Sequence, residues 1–236
     1  MEYLIIIIIL VLTIIILKVG LNIKIKDIKE VRAIGLSKEN NNIIEKFPEN
    51  KQICEEILQM IENITVTVEE TSNNKSQTSL YLVMQNKILI ANINNTFTRI
   101  QTIAHECIHS IQNKTVLKFN FILSNINILY FIIISILAIC NVFNNNINNI
   151  LLIILILMQF ILFTIRGFLE NDAMTRAEYL SEKYINKKQL INKKDAEFII
   201  KEYKKLNKIG IKLYDFILIC KNLMKPILYC ILLSIF

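Results

Sequence analysis

The stretch TIAHECIHSIQN, residues 102–113, decides how the rest of the chain is read. It holds His105-Glu106-Cys107-Ile108-His109, an H-E-x-x-H pattern, and these are the only two histidines in 236 residues. Positions i and i+4 share one face of a helix, so both imidazoles can reach a single metal ion. Glu106, next to them, can act as the base toward a water at that metal. Chance would produce this pairing in roughly one chain in a thousand. A solitary core histidine, the commoner role, leaves the pairing unexplained.

The surrounding pattern is helical. Thr98, Thr102, Glu106, His109 and Asn113 form a polar stripe flanked by Gln101, His105 and Gln112, and Ile100, Ile103, Ala104, Cys107, Ile108 and Ile111 form the apolar remainder. Such a helix suits the wall of a cleft in a packed domain, or a solvated face. With Arg99, Gln101, Thr102, Gln112, Asn113 and Lys114 it is too polar to cross lipid, which argues against an intramembrane protease.

Hydrophobic residues make up 53% of the chain and the formal net charge is +7. The apolar share is high for a soluble domain. The basic excess is not interleaved with stacking aromatics, so it points to cytoplasmic loops and a lipid surface rather than to nucleic acid. The five cysteines form no C-x-x-C pair, which fits reduced thiols on a cytosolic face. Cys107 points about 100° or more around the helix from each histidine and reads as a packing residue.

Taken in order, residues 1–23 read as an uncleaved transmembrane anchor. The apolar run 4–17 is only about 21 Å long as a helix, and Tyr3 and residues 18–23 extend it. Glu2 and the lack of a small-residue cleavage site argue against a signal peptide. Lys18, Lys24, Lys26, Lys29 and Arg32 follow, which puts the N-terminus outside and the next part in the cytoplasm. Residues 24–118 read as a cytoplasmic catalytic part. It contains two short helices over 37–47 and 48–64, the first capped by Ser37, and a strand over 65–69. A polar loop at 71–79 leads to a hairpin of 80–84 and 87–92 across Gln85-Asn86, and then to the H-E-x-x-H helix. A strand just before such a helix is either the edge that holds an extended peptide or part of a small supporting sheet.

Residues 119–166 read as a transmembrane hairpin, with spans at 126–143 and 150–165 and an Asn-rich link at 144–149. Lys114, Lys118 and Arg166 flank it on the cytoplasmic side. Residues 167–212 hold a helix opening at Glu170, where Ala173 and Ala177 permit close packing, and then a basic amphipathic helix. Residues 213–236 are apolar but carry Asp215, Lys221, Lys225 and Pro226; a fourth span, a kinked span and an interfacial helix all fit. The expected fold is therefore a mainly α membrane protein with a zincin-like α+β catalytic part and three or four transmembrane helices.

A catalytic zinc takes three protein ligands and keeps one position open. With no third histidine, the remaining ligand is Asp, Glu or Cys. Two crossings separate His109 from Glu170, so the chain returns to the same side, and Glu170 is the expected ligand. Asp172 is expected to support a histidine from behind. A charge placed at a helix N-terminus is the plainer role for Glu170.

These stretches resemble the membrane-bound neutral zinc metallopeptidases of the YugP type. That family joins an N-terminal anchor, an apolar lead into H-E-x-G-H-A-x-Q, a transmembrane hairpin, and E-F-D-A-x-x-R-A. The matching segments here are residues 105–112, HECIHSIQ, and residues 170–177, ENDAMTRA. Ile108 stands in place of the family's Gly and Ser110 in place of its Ala, and residues 80–92 replace an H-Y-D-P-like tract. The resemblance implies peptide-bond hydrolysis of a peptide or protein substrate. It implies one Zn²⁺ held by His105, His109 and Glu170, and Glu106 as general base. Arg176 or a tyrosine would help stabilise the oxyanion, although a plain salt bridge is the commoner role for such an arginine. The expected location is a multi-pass protein of the cell membrane with its active site on the cytoplasmic side. The alternative is a non-enzymatic membrane scaffold with a structural zinc, which requires a fourth protein ligand.

Overall fold

Long apolar runs with no internal breaker make the longest elements. A computed structural model describes residues 2–71, 78–94 and 96–236, with only the backbone of Leu36, Lys38 and Glu39. Among these residues the helices are α1 (Glu2–Gly20), α2 (Ile25–Leu36), α3 (Lys38–Ile44), α4 (Asn50–Met60), α5 (Arg99–Ile111), α6 (Lys114–Ile139), α7 (Asn145–Lys188) and α8 (Lys193–Ile235). The strands, lying between α4 and α5, are β1 (Thr67–Glu70), β2 (Leu80–Leu82) and β3 (Lys87–Ile90). The polar loop expected at 71–79 falls largely outside the described residues.

The chain divides into two compact units. The first comprises residues 1–23, 118–168 and 212–236. Among the described residues, α1, α6, α7 and α8 are long and apolar enough to cross a membrane. The side chains they leave uncovered, such as Ile16, Val19 and Phe160, suit hydrocarbon rather than water. Within this unit Tyr3, Ile134, Ala138, Leu152, Leu155, Tyr229 and Cys230 form an apolar core. Polar residues inside the apolar helices are paired. Gln159 Nε2 donates to Asn127 Oδ1 at 2.7 Å, and Tyr130 Oη donates to the Leu151 carbonyl at 2.9 Å. Hydrogen bonds of this kind set the register of adjacent helices where the hydrophobic effect is absent.

The turn between α6 and α7 is shorter than the Asn-rich run suggests. Asn141 adopts a left-handed backbone (φ 49°), and Asn144 Oδ1 accepts from the Ile147 backbone N–H at 3.0 Å. Asn144 thus caps α7, and the asparagines after it are helical. The expected break before Glu170 is also absent. No proline or capping residue interrupts 165–170, so α7 is one helix and Glu170 lies in its interior. The helix-terminal role for this carboxylate therefore does not apply. Conversely, the basic segment 183–212 is broken at Gln189 (φ 50°), and Asn192 Oδ1 caps α8 by accepting from the Asp195 N–H at 2.8 Å. Residues 213–235 continue α8, with Pro226 inside it.

The second unit comprises residues 24–117 and 169–211. Its sheet has the order β1-β3-β2, with β1 parallel and β2 antiparallel to β3. In the hairpin, Asn86 takes the positive φ (51°) that glycine usually supplies, and its side chain accepts from Tyr81 Oη at 2.8 Å. The strand nearest α5 in sequence, β3, is central and already paired on both sides. The edge strands are β1 and β2. Ser37 Oγ accepts from the Asn40 N–H, as a cap of α3 should. The helix α2 has no counterpart in the sequence expectations. Its charged composition hides an apolar pair, Val31 and Ile34, that packs on the core.

Helix α5 is the centre of this core. Ile100, Ile103, Ala104 and Cys107 are fully buried against Ile53, Cys54 and Ile57 of α4 and Ile88 and Ile90 of β3. On α7, Ala173, Ala177, Leu180 and Tyr184 recur at spacings of four, three and four, and all are buried in the same core. Arg99, polar in the sequence pattern, is only 3% exposed. Its Nη2 donates to the carbonyls of Ile44 and Phe47, both at 2.8 Å. Those carbonyls end α3 and its following turn, and each would cost about 1–3 kcal/mol if buried without a donor.

Candidate metal centre

Helix geometry brings His105 and His109 to one face of α5, with Nε2 atoms 3.0 Å apart. Glu170 approaches from α7, its Oε2 lying 3.3 Å from His105 Nε2 and 3.7 Å from His109 Nε2. A tetrahedral zinc with bonds near 2.0–2.1 Å sets its ligand atoms about 3.3–3.4 Å apart. The observed separations bracket that value, so the donor set and spacing fit a divalent metal. Among the described residues this group consists of these three side chains. The side chains of His105 and Glu170 remain 20% and 19% exposed, so one side of the group stays accessible.

The orientation of His109 is dictated by Gln112, the residue that closes α5. Gln112 Nε2 donates to the Leu169 carbonyl at 2.8 Å and to Asp172 Oδ2 at 2.7 Å. Two acceptors on that nitrogen fix the amide, so its Oε1 faces His109 Nδ1 at 2.7 Å and must accept. With a metal bound, His109 would therefore keep its proton on Nδ1 and present its Nε2 lone pair to the ion. Asp172 reaches the histidine through this amide. Arg176 Nη1 lies 3.5 Å from Asp172 Oδ2 and so extends the same chain of contacts outward. Glu178 Oε2 accepts from Asn207 Nδ2 at 2.8 Å, away from the metal group.

Glu106 is not in the metal group, yet it is 7% exposed. Burial pushes its carboxyl above the usual range, with the Glu170 charge adding to the rise; both histidines and the backbone N–H of Tyr81, which donates to it, oppose this. For Glu170, burial acts upward but is outweighed by hydrogen bonds from both histidines, and its carboxyl is held well below the usual range. For His109, burial acts downward but the Glu170 hydrogen bond and the Glu106 charge prevail, and its pKa is raised. The group thus holds an anion facing two imidazoles, an arrangement in which a metal cation displaces protons. Cys107 lies on the far side of α5, its Sγ 3.6 Å from Cys54 Sγ, in the core rather than at the metal group.

Two participants were missed in the sequence. Gln112 was visible as a flank of the polar stripe, three residues beyond His109, but its role depends on groups that α7 supplies. Tyr81 acts through its backbone, which leaves no trace in residue type. A Gln112→Leu substitution is expected to weaken zinc affinity by about 10–100-fold, as loss of a group behind a metal ligand does. Competition with a chromophoric chelator measures this; unchanged affinity would show that the amide does not hold His109.

Comparison of the chain with protein-family models, curated proteins and solved structures returns no match.

Proposed function

We propose that the protein is a membrane-anchored zinc metallopeptidase whose catalytic part is zincin-like, as its resemblance to the YugP-type enzymes implies. The observation that carries this reading is the convergence of His105, His109 and Glu170 at ligand spacing, beside a buried carboxylate that is not one of them. His105, His109 and Glu170 hold the ion. When bound, zinc supplies a Lewis acid that makes a water nucleophilic near neutral pH and polarises the scissile carbonyl. Glu106 takes the proton of the attacking water and delivers it to the departing amine. Its raised pKa brings it closer to the range where a carboxyl serves in both directions. The outer edge of β2 ends at the same carboxylate through Tyr81, which supports an extended peptide lying along that edge.

A structural zinc would draw a fourth protein ligand. The three-membered group among the described residues favours the catalytic reading over the scaffold. The test is peptide hydrolysis by the purified full-length protein. Activity should disappear with a zinc chelator and return with stoichiometric zinc. Hydrolysis that survives complete removal of metal would refute the proposal.

The basic flanks support a topology with residues 18–118 and 166–212 in the cytoplasm and the α6–α7 turn outside. Cys140 is exposed at that turn and supplies a native probe. It is expected to react with an impermeant maleimide added to intact cells, and Cys140→Ser should remove the signal. A cysteine introduced at the exposed Lys51 should react only after permeabilisation. The reverse pattern would invert the topology.

A further inference from the structure

A cavity of about 240 Å³ opens among α6, α7 and α8 within the unit of residues 1–23, 118–168 and 212–236. Its lining is basic in a part of the chain that is otherwise strongly apolar. Lys221 and Lys225, one helical turn apart on α8, both line it, as do Arg166 of α7 and Tyr214 and Asn222 of α8. Arg166 Nε donates to Tyr214 Oη at 3.1 Å, which holds the guanidinium at the wall. Among the described residues neither lysine has an ion-pair or hydrogen-bond partner. Asn222 adds an independent sign: its Nδ2 is buried and has no acceptor. Two like charges a turn apart repel, and an amide donor shut away from water is costly, so an anionic acceptor in the cavity would relieve both.

We propose that this cavity binds a phosphate group, carried by an anionic lipid headgroup or by free inorganic phosphate. Phosphate offers several acceptor oxygens with negative charge, which matches two ammonium groups and one amide N–H. The volume accommodates a group larger than a single water. Ile128 and Ile217 also line the cavity and are 50% and 41% exposed, which gives an acyl chain an apolar path away from the headgroup. This inference does not depend on the metal centre.

The full-length protein in a neutral detergent, followed by native mass spectrometry, tests the assignment. One arm is titrated with phosphatidylglycerol, one with phosphatidylcholine of the same chains, and one with inorganic phosphate. One equivalent of phosphatidylglycerol or of phosphate should bind in preference to phosphatidylcholine, and the tighter of the two identifies the source. Lys221→Gln with Lys225→Gln should weaken that binding about tenfold or more. Lys201→Gln with Lys208→Gln, two exposed positions on α8 outside the cavity, should leave it unchanged. Asn222→Leu, which keeps both lysines, should also weaken it and guards against misfolding of the charge variant. No binding in either anionic arm, binding unaffected by the cavity variants, or equal loss in the control pair would overturn the proposal.

Discussion

Glu106→Gln is expected to leave one zinc ion bound per chain and to lower peptide hydrolysis by about 10²–10⁴-fold. The amide keeps the shape and volume of the side chain and removes its capacity to accept a proton. Zinc should stay because Glu106 stands outside the group of His105, His109 and Glu170. The carboxyl is also buried and raised in pKa, as a proton carrier working near neutrality should be. Steady-state rates on a verified substrate, measured beside zinc content, check both halves. Near-normal turnover with zinc retained would remove Glu106 from the role of base.

Glu170→Ala is expected to strip zinc from the purified protein and with it all hydrolysis. Its Oε2 is the one carboxylate oxygen of the three-atom group, and two imidazoles alone leave the ion under-coordinated. Asp172→Ala is expected to act more weakly, by about 10–100-fold in affinity, because Asp172 reaches His109 only through Gln112. Glu178→Ala, whose carboxylate binds Asn207, should leave zinc unchanged. Tight stoichiometric zinc in Glu170→Ala would reassign the third ligand.

The sequence carried the local part of this arrangement and lost the part that depends on approach. Two histidines four apart, with a carboxylate between them, announce a shared face because helix geometry alone sets it. Glu170 is 61 positions from His109 and was reachable only by counting apolar crossings; the alanines at 173 and 177, buried in the core around α5, show how α7 packs there. Its setting within α7 was misjudged, because an uninterrupted helix leaves no punctuation where its surroundings change from apolar to polar. The proton on His109 Nδ1 could not be read at all. It follows from a glutamine whose amide is turned by a carbonyl and a carboxylate from another helix. The sheet gave up its hairpin, which is local, but not its order, since β1 pairs directly and in parallel with β3 although β2 comes between them in sequence. Arg99 counted in the sequence only as a polar residue of the helix, because a buried guanidinium satisfied by main-chain carbonyls looks no different there from a solvated one.

X-ray absorption at the zinc edge of the purified full-length protein tests the central claim most directly. The account predicts one zinc per chain, with nitrogen and oxygen ligands only at about 2.0–2.1 Å, including two imidazoles. A sulfur shell at about 2.3 Å would place a cysteine on the metal and turn the site into a structural one. That result, or protein that holds no zinc at all, would contradict it.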